Sequence, residues 1–285
     1  MKLGNLDIAI VSGGRFWIDG GGMFGVVPRP LWERVFPPDD KHRIPQETNC
    51  LLVRDGERNI LIDTGYGSKL SDKQRKNFAA QDGEPLIESL AEHGLTREDI
   101  DVVIFSHLHF DHAGGATRLD ENGDVVVAFP NAELVAQRRE WGDATAGYPE
   151  LRAAYPQDNL DPLRDCGKLR LIDGDVEIVP GIRSQVTGGH TDGHQVLIIE
   201  SEGESAVFLG DICSTSRHLP VLWCLGYDVH MQQTRRAKAQ VLEQVVVTNA
   251  IAIFDHDPDI GAARLRRDNR KDFAVADDLG FLSND

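Results

Sequence analysis

Ser106-His107-Leu108-His109-Phe110-Asp111-His112-Ala113-Gly114-Gly115 follows directly on the apolar run 102–105, and this stretch decides the reading. In an extended segment alternate side chains share a direction, so His107 and His109 converge on one point while Leu108 turns toward a core. Asp111 and His112 are neighbours and reach a second nearby point only if the chain curls into a helix at Asp111. Gly114 and Gly115 allow the close backbone approach this demands. Imidazole and carboxylate without thiolate suit zinc or another borderline divalent ion, and two adjacent points suit a pair of ions. Solvated loop histidines are the alternative, but H-x-H-x-D-H closed by a glycine pair favours metal.

Further candidate ligands stand where later apolar runs stop. Gly188-Gly189-His190-Thr191-Asp192-Gly193-His194 follows the run 182–186, Gly210-Asp211 follows 206–209, and His256 follows 250–254. A ligand at a strand end has a rigid support and faces a cleft built by loops. Singly, each reads as a cap or turn residue; only the set carries weight.

The wider pattern is of short apolar runs that fit strands, at 6–11, 50–53, 60–62, 102–105, 125–128, 169–172, 182–186, 196–199, 206–209 and 250–254. Helical periodicity appears at 85–93, stopped by Gly94, and at 234–246, with Thr234 as N-cap and basic residues toward solvent. Residues 28–45 hold five of thirteen prolines and read as an extended arm or loop. The basic stretch 264–271 alternates with Asp268 and reads as a solvated helix face. Strands interleaved with amphipathic helices indicate a layered α+β or α/β fold.

At 285 residues the chain is expected to form one large domain. Its longest apolar runs fall far short of the roughly 20 residues a membrane-spanning helix needs, so no membrane partner is expected. The start, MKLGNLDIAIVSGG, lacks a secretory h-region, which makes cytoplasmic location the expectation. Forty-six acidic against 30 basic residues give a net charge of −16. A surface this acidic repels a phosphate backbone, so nucleic acid is excluded as a partner. Four dispersed cysteines without a C-x-x-C pair imply reduced, mostly buried thiols.

The ordered set HLHFDH, GHTDGH, LGD and a late histidine resembles the metallo-β-lactamase superfamily over nearly the whole chain. The resemblance implies an α+β fold, a four-layer αβ/βα sandwich with the site at one edge. It implies one hydrolase domain over 1–285, with an N-terminal arm around 13–48. By it, His107, His109 and His190 hold one ion, Asp111, His112 and His256 hold the other, and Asp211 bridges both. Leu61-Ile62-Asp63-Thr64-Gly65 matches the family's early strand-to-turn motif, so Asp63 supports the ligand histidines. His194 matches a position near the site that is not usually a ligand. An acidic residue at position 109 would have suggested redox iron; histidine there favours hydrolysis.

The implied cofactor is two divalent ions, zinc foremost, with iron, manganese or cobalt as alternatives. Two such ions, two carboxylates and a bridging hydroxide leave the core with about one positive charge. The bridging hydroxide would attack a carbonyl or phosphoryl centre, with Asp111 shuttling the proton and Asp211 holding both ions. Asp111 and Asp211 are therefore the catalytic pair.

Residues 19–28 and Thr215-Ser216-Arg217-His218-Leu219-Pro220 resemble the lactonase branch. That branch holds acyl-homoserine lactone lactonases and phosphotriesterases of the methyl parathion hydrolase type. A quorum-quenching lactonase is the leading expectation. An organophosphate hydrolase is the alternative, followed by a non-enzymatic metal-dependent sensor of a small molecule. Trp17, Met23, Phe24, Phe110, Ser214, His218, Trp223 and Tyr227 are candidates for lining a pocket for a small, uncharged, apolar substrate. One departure is Ser214, which stands where the acyl-homoserine lactone lactonases carry a tyrosine three residues past the bridging aspartate. Tyr227 or His218 would then supply that contact. Only a short tail follows His256, which disfavours a thioesterase of the glyoxalase II type. The proline and aromatic content of the arm suggests a homodimer, which light scattering would test.

Overall fold

The computed structural model describes residues 1–281. One sheet of seven strands runs in the order Lys2–Leu3, Leu6–Asp19, Arg43–Arg54, Asn59–Ile62, Val102–Ile104, Glu133–Gln137, Leu169–Ile172. It is antiparallel up to Asn59–Ile62 and parallel beyond. The second seven-stranded sheet runs Glu177–Val179, Ile182–Val186, Gln195–Ser201, Glu204–Phe208, Ile251–Ile253, Ala262–Asp268, Asp272–Gly280. Glu204–Phe208 and Ile251–Ile253 are its one parallel pair.

Alternation along the strands produces the layers. Leu51, Val53, Ile60, Ile62 and Ile104 of the first sheet meet Leu197, Ile199, Phe208, Ile251 and Ile253 of the second in one buried cluster between the sheets. Their neighbours Leu52, Leu61, Val103 and Leu134 point the other way, onto Leu86 and Leu90 of helix Pro85–Glu92 and Leu160 and Leu163 of helix Gln157–Asp165. On the far side Val196, Ile198, Val207 and Ala252 pack against Val241, Leu242 and Val245 of helix Met231–Val247. Strands buried on both faces read as continuous apolar runs, and each such side chain contributes about 1.5–3 kcal/mol. The result is the expected αβ/βα sandwich.

Three expectations differ from the structure. The arm around 13–48 is sheet at both of its ends: Leu6–Asp19 and Arg43–Arg54 pair antiparallel out to Asp19 and Arg43, with a register shift between Ser12 and Arg15 at Gly13-Gly14. Residues 20–42 form an excursion with short helices Gly20–Phe24 and Arg29–Trp32, and build their own cluster of Met23, Phe24, Val27, Trp32, Phe36 and Ile44 with Leu225. Prolines here cap and start a helix, Pro28 at N-cap and Pro30 in the first turn.

The stretch 264–271 is a hairpin, not a helix. Ala262–Asp268 pairs with Asp272–Gly280, and the turn closes as the Asp268 carboxylate accepts from the amides of Arg270 and Lys271, each at 2.9 Å. Buried Ala263 and Leu265 alternate with the arginines at a period of two, which a helical face does not have.

Helix Met231–Val247 begins before Thr234, which is fully buried within it, and His230 holds the N-cap position. Nor do all its basic residues face water. Lys238 is fully buried, and its Nζ donates to the carbonyls of His218 at 3.0 Å and Pro220 at 3.2 Å and to that of Trp223. This ties the loop after Asp211 to the helix.

All four cysteines are free thiols. Among the described residues no helix is long and apolar enough to cross a membrane.

Candidate metal centre

The site gathers the carboxyl ends of five strands. Asp63 follows Asn59–Ile62, the 106–115 stretch follows Val102–Ile104, and His190 follows Ile182–Val186. Asp211 follows Glu204–Phe208, and His256 follows Ile251–Ile253. A helical turn over Phe110–Ala113 swings His112 inward, the curl that reaching a second point required.

Two groups of side chains result, each with its ligand atoms within 4.8 Å of one another. His107, His109, His190 and Asp211 form one; His112, Asp211, Asp255 and His256 form the other. Asp211 belongs to both. Its Oδ2 is 3.0 Å from His190 Nε2 and its Oδ1 is 3.4 Å from His256 Nε2. His190 Nε2 is 3.0 Å from His109 Nδ1, and His256 Nε2 is 3.1 Å from His112 Nε2. Asp111 stands at the rim, partly exposed, with Oδ2 3.6 Å from His256 Nε2 and Oδ1 4.0 Å from His112 Nε2.

The donors fit divalent ions. His107 Nε2 is buried with no hydrogen-bond partner. Imidazole nitrogens facing each other at about 3 Å need a cation or proton between their lone pairs. Two metal–ligand bonds of about 2.1 Å span at most about 4.2 Å, and the atom-to-atom distances above, from 3.0 to 4.0 Å, lie inside that limit.

Buried partners orient the rings. Asp63, in the left-handed region at φ 59°, accepts from the Ser106 amide at 2.7 Å and the Ser106 hydroxyl at 2.6 Å, and its Oδ2 is 2.8 Å from His112 Nδ1. A carboxylate there fixes the proton on Nδ1 and leaves Nε2 free for an ion. His256 Nδ1 lies 2.8 Å from the Glu47 carbonyl, and His190 Nδ1 lies 2.9 Å from Asp228 Oδ1. The Asp211 amide donates to His194 Nε2 at 3.1 Å, so the His194 Nδ1 proton goes to Thr187 Oγ1 at 2.7 Å. His194 thus bonds to the backbone of Asp211. Beneath the histidines, Glu140 accepts from the Leu108 amide and the Tyr155 hydroxyl, both at 2.9 Å, and from the Thr191 hydroxyl at 2.6 Å.

Asp228, Glu140 and Asp255 were not read from the sequence. Asp228 and Glu140 are single acids far from the motifs and carry no local signal. Asp255 did carry one, a second acid beside the late histidine in Phe254-Asp255-His256-Asp257.

Charge follows from this packing. Burial works against charge on His112, but Asp63, Asp111 and Asp211 outweigh it and raise its pKa to about 9. Burial is likewise overcome at His190 by Asp211 and Asp228, which raise it to about 10. His107 and His109 are pushed well down by burial and neighbouring imidazoles. The carboxylates demand positive charge where ions fit.

Asp63→Asn is expected to weaken metal binding about 10- to 100-fold, because an amide cannot accept from both Ser106 and His112. Chelator competition measures this, and an unchanged affinity would remove Asp63 from its supporting role.

The expected pocket residues separate. Ser214 is buried and its Oγ donates to Asp211 Oδ1 at 2.9 Å, so it steadies the shared carboxylate. His218 is removed from the pocket: it is buried, stacked on Phe24 at 4.7 Å, with Nε2 2.8 Å from the Met23 carbonyl and Nδ1 2.8 Å from Thr215 Oγ1. Met23 and Phe24 are buried in the cluster of 20–42, with Trp223 packed edge-on against Phe24 at 5.6 Å. These aromatics fill a local core, because residues 20–42 must bury their own apolar faces. Trp17 is half-buried on its strand, and half-buried Phe110 stacks on Phe78 at 5.4 Å. Tyr227 is 45% exposed and so close to Gly22 that a β-carbon there would meet its hydroxyl at 2.1 Å. Burial, with Asp19 and Asp111, pushes the Tyr227 pKa up to about 12, so it remains a donor at neutral pH.

His218 has a consequence for acid stability. Burial and Lys238 push its pKa down to about 4. The unfolded chain, near 6.5, binds the proton first, so this stabilisation is complete above pH 6.5 and lost as pH falls toward 4. It amounts to roughly 3 kcal/mol. Urea unfolding between pH 7 and 4.5 is expected to be less pH-dependent in His218→Gln than in the parent. Equal slopes would overturn the assignment.

The metallo-beta-lactamase superfamily pattern matches residues 43–256. The chain belongs to this superfamily and is a metal-dependent hydrolase with lactonase relatives. An N-acyl homoserine lactonase of Bacillus sp is 34% identical over 225 residues, covering 73% of this chain and 80% of the relative. A solved structure described as a probable metal-dependent hydrolase from Staphylococcus aureus superimposes with a TM-score of 0.87 at 35% identity, over 98% of this chain and 100% of that one. AidC, described as a dizinc quorum-quenching lactonase in complex with a product, has a TM-score of 0.80 over 98% of this chain and 96% of its own. At 23% identity that likeness is one of fold.

Proposed function

We propose that the protein is a two-ion lactonase that opens the ring of an uncharged lactone with an apolar acyl group, an N-acyl homoserine lactone being the leading class. The observation that carries this is the Asp211 carboxylate, one oxygen beside His190 and the other beside His256. The kinship with N-acyl homoserine lactonases supports the substrate class. Divalent ions, zinc foremost, supply Lewis acidity there and lower the pKa of bound water from about 15.7 to about 7.

The side chains divide the remaining work. His107, His109 and His190 would hold one ion, Asp111, His112 and His256 the other, and Asp211 both. Asp111, on the open rim, takes the proton from the water that adds to the lactone carbonyl and returns it to the alkoxide oxygen released when the ring C–O bond breaks. With Ser214 turned to Asp211 and His218 engaged on both nitrogens, Tyr227 is left to donate to the substrate carbonyl.

Turnover of a panel of acyl homoserine lactones, simple lactones, aryl esters and paraoxon by the metal-loaded enzyme tests this. Lactones are expected to exceed the other classes in kcat/KM by at least about tenfold, roughly 1.4 kcal/mol of transition-state preference. A larger value for paraoxon would make the protein a phosphotriesterase. Two bound ions with no turnover would make it a sensor.

A further inference from the structure

We infer that Asp255 is a third carboxylate of the metal centre, ligating the ion shared by His112, Asp211 and His256. This rests on the two-ion reading above. Asp255 is 2% exposed, and both of its carboxylate oxygens are buried without a hydrogen-bond partner. Among the described residues no other side chain has two oxygens so placed. Nearby buried acids are satisfied: Asp63 by Ser106 and His112, Glu140 by Leu108, Tyr155 and Thr191, Asp257 by Ser216, Arg217 and two amides.

Asp255 Oδ2 lies 3.8 Å from His256 Nε2 and 4.0 Å from His112 Nε2, within the span of two bonds to one ion. The position is held from behind. Asn49 Nδ2 donates to the carbonyls of Phe254 and Asp257, both at 2.9 Å, and the Asn49 amide donates to the Asp255 carbonyl at 2.7 Å. The backbone is clamped on both sides of Asp255, so its carboxylate stays inside.

Without an ion, a carboxyl so buried and without a donor is accommodated only by taking up a proton, whereas a cation compensates its ionised form. An ion at the second point does so. The added charge brings the two-ion core from about +1 to about neutral, which lessens attraction for anionic substrates and suits an uncharged ester. It also makes the second point richer in oxygen than the first, and oxygen donors favour harder ions such as manganese over zinc.

The test uses Asp255→Asn on the full chain, with ions counted by elemental analysis and native mass spectrometry and affinity read by chelator competition with zinc. The variant is expected to hold one ion per chain where the parent holds two, with the second site weakened about 10- to 100-fold. Melting temperatures add a reading that a purely structural residue would not give. The metal-free variant should melt at or above the metal-free parent, because the group removed had no partner, while the rise on adding zinc should shrink. Two ions held within about twofold of the parent affinity, or an equal fall in melting temperature with and without zinc, would overturn the inference. Asp255→Ser carries the same expectations if the asparagine variant does not accumulate folded. None of these readings uses a substrate: a parent with two ions and no lactone turnover refutes the function and leaves Asp255 standing.

Discussion

Asp211→Asn is expected to lower hydrolysis by about 10³-fold or more and to reduce the bound ions from two to at most one. The argument lies in the asymmetry of the amide. Asp211 turns one oxygen to His190 and the other to His256, while its own amide is held by His194 and its Oδ1 receives the Ser214 hydroxyl. Asparagine keeps the shape and loses one acceptor, so an N–H group would face one of the two points. It also removes a charge that His190 and His256 hold against burial, with the Asp211 carboxyl kept well below the usual carboxylate range. The remaining cluster then has less reason to collect cations. Elemental analysis of the purified variant, followed by turnover at saturating zinc, separates loss of binding from loss of chemistry. A variant holding two ions with near-parental rate would show that the two points are occupied independently of Asp211.

What was legible in the sequence followed the range of the interactions. His107, His109, Asp111 and His112 lie within six consecutive residues, so their spacing alone marks them as a ligand cluster. His190, Asp211 and His256 stood out only through the ordered set of motifs, since each alone looks like a turn residue. Asp63 could be read only because its segment matches a short motif of the family it resembles, and the bonds that explain it reach to Ser106 and His112. Asp228 could not, because what makes it matter is the approach of His190 across 38 positions.

Strand existence was read better than strand ends. The central parallel strands, such as Val102–Ile104 and Ile251–Ile253, are buried on both faces and announce themselves as apolar runs, whereas the outer part of Leu6–Asp19 contains Arg15 and Asp19 and is held in the sheet by pairing with Arg43–Arg54. Lys238 inverted the usual rule for a basic helix residue because three carbonyls of the 218–223 loop converge on it. That convergence has no counterpart in helical periodicity.

Gly115→Ala is expected to destabilise the metal-free protein by about 3 kcal/mol or more and to abolish ion binding. Gly115 does not have a positive φ, so the cost is one of space rather than of backbone conformation. A β-carbon there would meet the Thr64 carbonyl oxygen at 2.1 Å, and that neighbour is backbone that cannot rotate away. Thr64 donates from both its amide, at 2.7 Å, and its hydroxyl, at 2.8 Å, to the His112 carbonyl, while the Gly115 amide donates to Gly65 at 3.0 Å. Pushing Thr64 aside therefore moves Asp63 on one side and the His112 turn on the other, and the ring and its orienting carboxylate separate. Gly94→Ala serves as the control. Gly94 has φ 72° and nothing within 4 Å of where a β-carbon would stand, so alanine there should cost only about 1–2 kcal/mol of conformational strain and leave both ions bound. Urea unfolding in the presence of a chelator, paired with ion counts in its absence, compares the two variants. Equal losses of stability would show that the 64–67 segment yields to the added carbon, and that the glycine pair after the histidines is not what holds Asp63 against His112.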